Sequence, residues 1–232
     1  MLVGGGGSGT IFFEGCNLGC VFCQNFDISR GRGGPEVSAE QLAQLMLVQQ
    51  RRGCSNVNLV TPTHVAAQIL AAIELARSDG LTVPVVYNCG GYESVEMLAL
   101  LAGYVDIYMP DVKYADPEAA RKYSDAADYP QIVRAALGEM HRQVGPLSLD
   151  ERGLARRGVM VRHLVMPDDL AGSAEVIDMV AKTAPGCGMN VMGQYRPCYR
   201  ASEFPQLLQR PSGGEVQRLR QYASEKGLCR TE

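Results

Sequence analysis

Six short β-type runs, each followed by a stretch of helical periodicity, constrain this chain more than any other feature. The runs are Thr10 to Phe13, Asn56 to Val60, Val83 to Tyr87, Val105 to Met109, Val159 to Met166 and Met189 to Met192. Between and after them, apolar residues recur at helical spacing over Ser38 to Arg52, Val65 to Arg77, Ser94 to Leu101, Pro117 to Ser124, Pro130 to Val144, Gly172 to Lys182 and Glu215 to Lys226. Ser38 with Gln41 three residues on reads as a capping box. Leu147 to Asp150 ahead of the fifth run suggests a hairpin-like excursion around Glu151 to Gly158. Strand–helix alternation of this kind implies parallel strands joined by right-handed crossovers. The fold class expected is therefore α/β, a partial barrel of six strand–helix units, (β/α)6, in one domain over residues 1–232. Its core is expected over about 7–200, with a last helix near 213–226. Ligands in such sheets sit at the carboxyl ends of the strands. The unusual polar, Gly and Pro motifs lie there: Cys16 to Asn25, Thr61 to His64, Asn88 to Tyr92, Pro110 to Lys113, Pro167 to Asp169 and Gln194 to Pro197.

Composition excludes several function classes. A formal net charge of -3 argues against electrostatically driven binding to nucleic acid or a membrane surface. Trp is absent and aromatics are 6%, too few for a base-stacking platform. No apolar run reaches the ~20 residues of a membrane helix, and no charged n-region with an apolar stretch follows Met1. The eight cysteines are not spread like a secreted disulfide framework, since three crowd into Cys16 to Cys23. Reduced thiols and a cytoplasmic location are the expectation.

The crowded run reads Cys16-Asn17-Leu18-Gly19-Cys20-Val21-Phe22-Cys23, directly after the first strand. Thiolates are soft ligands suited to iron–sulfur clusters or zinc. Zinc sites normally take four ligands, and this local set has three with no His beside it. A 4Fe–4S cluster on three thiolates keeps one iron open for an exogenous ligand. A zinc knuckle completed by a distant residue and a redox switch are the alternatives.

Cys16-x3-Cys20-x-Phe22-Cys23 resembles the signature of the radical S-adenosylmethionine (SAM) superfamily. The segments Gly7 to Phe13, Val60 to His64, Asp106 to Tyr114 and Val161 to Val165 resemble, more narrowly, a subgroup of uncharacterised iron–sulfur proteins related to the pyruvate formate-lyase activating enzyme. The resemblance covers about Gly7 to Leu228. It implies that Cys16, Cys20 and Cys23 ligate a 4Fe–4S cluster and that SAM chelates the open iron. An electron from a reduced flavodoxin or ferredoxin then cleaves the sulfonium to a 5′-deoxyadenosyl radical, which abstracts a hydrogen atom. A glycyl radical enzyme is the candidate partner. Modification of a small molecule or peptide is the alternative, and a zinc-stabilised non-enzymatic protein is a further one. Some relatives carry an extra cysteine-containing N-terminal segment, and the chain starts almost at its first strand.

The resemblance also nominates SAM-binding residues. Thr61, Thr63 and His64 stand where relatives carry Gly-Gly-Glu. Asn88 and Gly90 lie in the segment after the third strand that contacts SAM in relatives. Asp111 and Lys113 match an Asp-x-Lys element, with Lys113 pairing the SAM carboxylate. Arg162 matches an Arg on the fifth strand, where an unpaired cation would be costly. Gln194 and Tyr195 follow the sixth strand, where Arg196 replaces a His. His163 should point away from the pocket. Ser212-Gly213-Gly214-Glu215 reads as a helix start with a capping box, not as a SAM motif. Cys54, Cys187 and Cys229 read as packing thiols, while Cys89 and Cys198 sit near strand ends.

Overall fold

A computed structural model describes residues 1–31 and 33–230. Arg32, Thr231 and Glu232 lie outside the described residues, so the expected domain limit at 232 falls there. In chain order the elements are β1 (Gly9–Phe12), α1 (Phe26–Ser29), α2 (Ala39–Arg51), β2 (Val57–Val60), α3 (Ala66–Ser78), β3 (Val85–Cys89), α4 (Val95–Leu100) and β4 (Ile107–Pro110). They continue as α5 (Pro117–Ser124), α6 (Tyr129–Val144), β5 (Ser148–Leu149), β6 (Ala155–Leu164), α7 (Ser173–Thr183), β7 (Gly188–Met192), α8 (Gly213–Glu225) and β8 (Cys229–Arg230).

The strands form one sheet in the order β1-β2-β3-β4-β6-β7-β8, with β5 hanging from β6. Every pair on that path is parallel. Sequential parallel order with intervening helices is that of an incomplete barrel, and the six expected strands are all present. Each of β2, β3 and β4 is buried along almost its whole length, as a parallel sheet covered on both faces requires.

Local chemistry sets the helix boundaries. The Ser38 capping box is formed: the Gln41 amide donates to Ser38 Oγ at 3.2 Å and the Ser38 amide donates to Gln41 Oε1 at 2.8 Å. Asp116 caps α5 by accepting from the Ala119 amide at 2.9 Å, and Pro117 follows at the first helical position. The helix stops at Asp125, which turns into the left-handed region at φ 56°. At α8, Ser212 Oγ accepts from the Glu215 amide at 3.1 Å, so the Ser-Gly-Gly-Glu run opens a helix as expected.

Several strand limits differ from the sequence reading; β3, for one, runs Val85–Cys89 rather than Val83 to Tyr87. β4 begins at Ile107, just after Asp106, whose carboxylate accepts from Arg77 at 2.7 Å and from the Val85 amide at 2.8 Å. β6 begins at Ala155, since the excursion is a true hairpin in which Ser148 and Leu149 pair antiparallel with Arg157 and Ala155. β8 adds a two-residue strand beside β7. No helix among the described residues is long and apolar enough to cross a membrane.

The period of two along each strand separates the two faces of the sheet. Tyr87, Tyr108 and Val161 join the large cluster that packs against the helices. Val86, Ile107, Met109 and Met160 form a separate cluster on the opposite, concave face. Asn88 and Arg162 belong to that concave face by alternation, while His163 faces the helices. There the His163 ring is fully buried between the Val112 carbonyl at 2.7 Å and Ser173 Oγ at 2.9 Å. Burial lowers its pKa, so it is a neutral packing residue, as expected.

Candidate functional site

The cysteine loop runs across the carboxyl edge of the sheet and is clamped by the end of α5. The Gly19 amide donates to the Ser124 carbonyl and the Val21 amide to the Tyr123 carbonyl, both at 2.9 Å. Each thiol has a polar neighbour. Ser124 Oγ donates to Cys20 Sγ at 2.9 Å, the Leu18 amide donates to Cys16 Sγ at 3.5 Å, and Ser29 Oγ lies 3.4 Å from Cys23 Sγ. With the Ser124 proton directed at sulfur, the Tyr114 hydroxyl 2.8 Å away is the donor to Ser124. Burial pushes the Cys20 thiol pKa up, and Lys113 and the Ser124 bond act against it. Hydrogen bonds to thiolate sulfurs stabilise the anionic form, the form that ligates metal.

Cys20 and Cys23 open onto a cavity of about 240 Å³ at the ends of β4, β6 and β7. Asp111, Lys113, Arg162 and Gln194 line it from the other side, with an apolar wall that includes Leu164 and Met192. Asp111 joins the two cations: Lys113 Nζ donates to Oδ2 at 2.6 Å, and Arg162 donates to Oδ1 through Nε at 2.9 Å and Nη2 at 2.7 Å. A parallel bridge between Asp111 and Arg162 sets this register. Burial acts to raise the Asp111 pKa, but Arg162 and Lys113 outweigh it and hold the carboxyl at about 2. One carboxylate facing two cations leaves a net positive charge in a recessed site, which suits an anionic group on a ligand.

The other nominated residues lie away from this cavity. Thr61 follows β2 in the left-handed region at φ 59°, unusual for a β-branched residue and costing on the order of 1 kcal/mol. Its amide donates to the Asn88 carbonyl at 2.9 Å, which ties the ends of β2 and β3 together. Thr63 Oγ1 donates to Glu93 Oε1 at 2.6 Å. A His64 ring nitrogen lies 2.6 Å from the Glu14 carbonyl, and a Cβ on Gly15 would come within 3.1 Å of it. The segment that replaces Gly-Gly-Glu thus braces the entry to the cysteine loop. At Gly90, a Cβ would meet Leu18 Cδ1 at 3.0 Å, and at Gly91, with φ +79°, it would meet the Asp111 carbonyl oxygen at 2.3 Å. The paired glycines therefore admit the cysteine loop and the Asp111 backbone. Tyr195 is buried, with its hydroxyl donating to the Leu207 carbonyl at 2.8 Å and its ring against Phe22.

Sequence reasoning missed Glu93. It follows Gly-Gly-Tyr at a helix entry, a position that reads as solvent-exposed, yet it is buried beneath the helices. Tyr87 donates to its Oε2 at 3.1 Å and Thr63 to its Oε1. Burial pushes the carboxyl up to about 7, although its hydrogen bonds pull the other way. Cys89 lies in the same buried group, facing the helices, and its thiol is raised well above the usual value by burial. A carboxyl raised above its unfolded value of about 4.3 contributes fully at low pH, and that contribution is lost as pH rises through about 7. Glu93→Gln is therefore expected to flatten the stability profile between about pH 4 and 7. Denaturant midpoints across that range check this. A parent profile with no slope there would contradict the assignment.

The donor set fits an iron–sulfur cluster: three soft thiolates on one loop, polar donors on the sulfurs, and a recessed cavity beside two of them. Among the described residues no three His, Cys, Asp or Glu side chains gather closely enough to hold a single metal ion.

Comparison with known proteins agrees with this. The chain is 33% identical over 231 residues to an uncharacterised protein of Methanocaldococcus jannaschii, covering 95% of this chain and 63% of that one. The chain thus spans less than two thirds of that relative. SuiB of Streptococcus suis, solved bound to S-adenosylmethionine, superposes with a TM-score of 0.64 at 10% identity, over 96% of this chain and 49% of SuiB. The hydrogenase maturase HydG of Carboxydothermus hydrogenoformans gives 0.60 at 12% identity, over 96% and 57%. At such identities the likeness shows the fold, an α/β partial barrel. The Radical SAM superfamily model matches residues 10–143, more than half of the chain. With the cysteine loop inside that match, the chain belongs to the radical SAM superfamily, whose enzymes use a 4Fe–4S cluster and S-adenosylmethionine.

Proposed function

We propose that residues 1–232 form a single radical SAM domain, acting in the cytoplasm, that cleaves SAM reductively and abstracts a hydrogen atom from a protein substrate. A glycyl radical enzyme is the first candidate substrate. The observation that carries the reading is the cavity in which Cys20 and Cys23 face Asp111, Lys113, Arg162 and Gln194.

In this reading Cys16, Cys20 and Cys23 hold the cluster. When bound, the cluster and SAM together supply the 5′-deoxyadenosyl radical. The protein's own residues bind, orient and exclude water. Lys113 and Arg162 lie about the Asp111 carboxylate and present donors to the SAM carboxylate. Asp111 fixes both cations and stays ionised at neutral pH, so it can also accept from the SAM amino or ribose groups. Gln194 offers an amide at the cavity edge. Thr61, Thr63, His64, Asn88 and Gly90 set the carboxyl ends of β2 and β3 against the cysteine loop, and Tyr195 anchors Phe22 from behind. Leu164, Met166 and Met192 keep water from the reacting centre.

A peptide substrate is the second reading. SuiB, also solved bound to its precursor peptide SuiA, superposes with a TM-score of 0.63 at 9% identity.

Anaerobic reconstitution with iron and sulfide, reduction with dithionite and addition of SAM is the test. The expected products are methionine and 5′-deoxyadenosine in equal amounts. No cleavage under conditions where a known family member works would overturn the reading. Incubation with a glycyl radical enzyme followed by EPR distinguishes the two substrates, because only the activase reading yields a doublet on the partner.

A further inference from the structure

The cysteine loop borders more than the cavity. Gly19 and Val21, the two residues that flank Cys20, line a separate open cleft of about 440 Å³. Gly19 has no side chain to cover the loop there. A Cβ at that position would stand 3.0 Å from Asp125 Cβ, so the close approach of α5 and the bare backbone in the cleft go together.

The rim is basic in a chain whose net charge is -3. Arg30, Arg121, Lys122 and Arg200 line the cleft against one lining carboxylate, Asp125. Two of these cations have acidic neighbours one helical turn away: Arg121 pairs with Glu118 at 2.6 Å and Arg200 with Glu203 at 2.7 Å. Both pairs are exposed, and exposed pairs of this kind are held weakly, so their cations can turn to a partner. Lys122 lies over the rings of Tyr123 and Phe204, 5.1 Å and 5.9 Å from their centroids. Arg30 donates to the Leu18 carbonyl and the Arg200 amide to the Val21 carbonyl, so the basic rim is fastened to the loop itself.

We propose that this cleft is the docking surface for an acidic one-electron carrier protein and the point at which the electron enters. The inference rests on the radical SAM reading and adds the surface and the charge of the partner. One electron leaves the reduced carrier and is taken up at the cluster held by Cys16, Cys20 and Cys23, with no bond formed at the cleft and no proton required there. Substrate chemistry in the cavity and electron entry at the separate cleft lets the carrier reach the loop while the cavity is closed over SAM. Complementary charge raises encounter rates with an acidic carrier, and salt weakens the effect.

The test compares two reductants on the reconstituted full chain, reading 5′-deoxyadenosine formation. One is dithionite, small enough to need no docking surface, and the other is a photochemically reduced acidic flavodoxin. The variants are the double substitution Arg121→Glu with Lys122→Glu and, separately, Arg200→Glu. Flavodoxin-driven cleavage is expected to fall about tenfold or more at low ionic strength, with dithionite-driven cleavage unchanged. Parent activity with flavodoxin should also decline as salt rises. Equal flavodoxin-driven rates in the parent and both variants would overturn the docking surface. A parallel loss with dithionite in both variants would overturn it too, since the cations would then serve the loop's fold. A parent protein inactive with dithionite would instead overturn the radical SAM reading itself.

Discussion

Replacing Cys20 by Ala is expected to leave a folded protein that no longer retains a 4Fe–4S cluster or forms 5′-deoxyadenosine above background. The loop that carries Cys20 is held by main-chain bonds from Gly19 and Val21 to the end of α5, and these do not involve sulfur. Truncation deprives Ser124 of an acceptor, while its contact with Tyr114 remains. The cost to the apo fold is about 1 kcal/mol, a shift of a few degrees in Tm. Iron and labile sulfide after anaerobic reconstitution give the decisive measurement, with Cys54→Ala as a control that keeps full occupancy. A zinc-stabilised interaction protein would behave differently, because losing one ligand of a structural zinc unfolds a large part of such a site. Full iron occupancy in Cys20→Ala would remove Cys20 from the ligand set.

The same contrast between local and distant interactions explains what the sequence disclosed. The six central strands and their helices were legible because apolar periodicity is a local signal, and so were the Ser38 capping box and the helix start at Ser212. The cysteine loop was legible because its ligands are adjacent in sequence. Arg162 was recognisable as a cation in an apolar strand, but its partner lies 51 residues away and only the β4–β6 register brings them together. Glu93 was invisible for a related reason: the hydroxyl that meets its buried carboxyl belongs to Thr63, 30 residues earlier. The glycines after β3 were read as part of a SAM-contacting segment; in the structure a Cβ on them would meet the protein's own Leu18 and Asp111. The Asp106 carboxylate, which accepts from Arg77 and from the Val85 amide, was not foreseen because both partners are more than 20 residues away in sequence. β8 spans two residues, too few for any period to register.

Asp111→Asn is expected to be the most damaging substitution in the cavity that leaves every cysteine in place. Asn preserves the shape but removes the charge that Lys113 and Arg162 face at 2.6 and 2.7 Å. All three side chains are less than a third exposed, so solvent compensates the stranded cations incompletely. Breaking a largely buried pair in this way costs about 3 kcal/mol. The loss should be pH-dependent in a defined direction. The Asp111 carboxyl is depressed to about 2, below its unfolded value, so its contribution is present above about pH 4 and lost as pH falls through about 2. Parent and variant stabilities should therefore converge in strong acid and diverge near neutrality, as denaturant titrations at several pH values would show. Removing Arg162 at the same time, in Asp111→Asn with Arg162→Met, should recover part of the loss, because one of the two stranded cations is gone. Additive single and double effects would mean that the three groups do not act as a unit. If they do act as one, SAM binding should weaken more in Asp111→Asn than the loss of one hydrogen bond explains, since Lys113 and Arg162 lose the anion that fixes their direction.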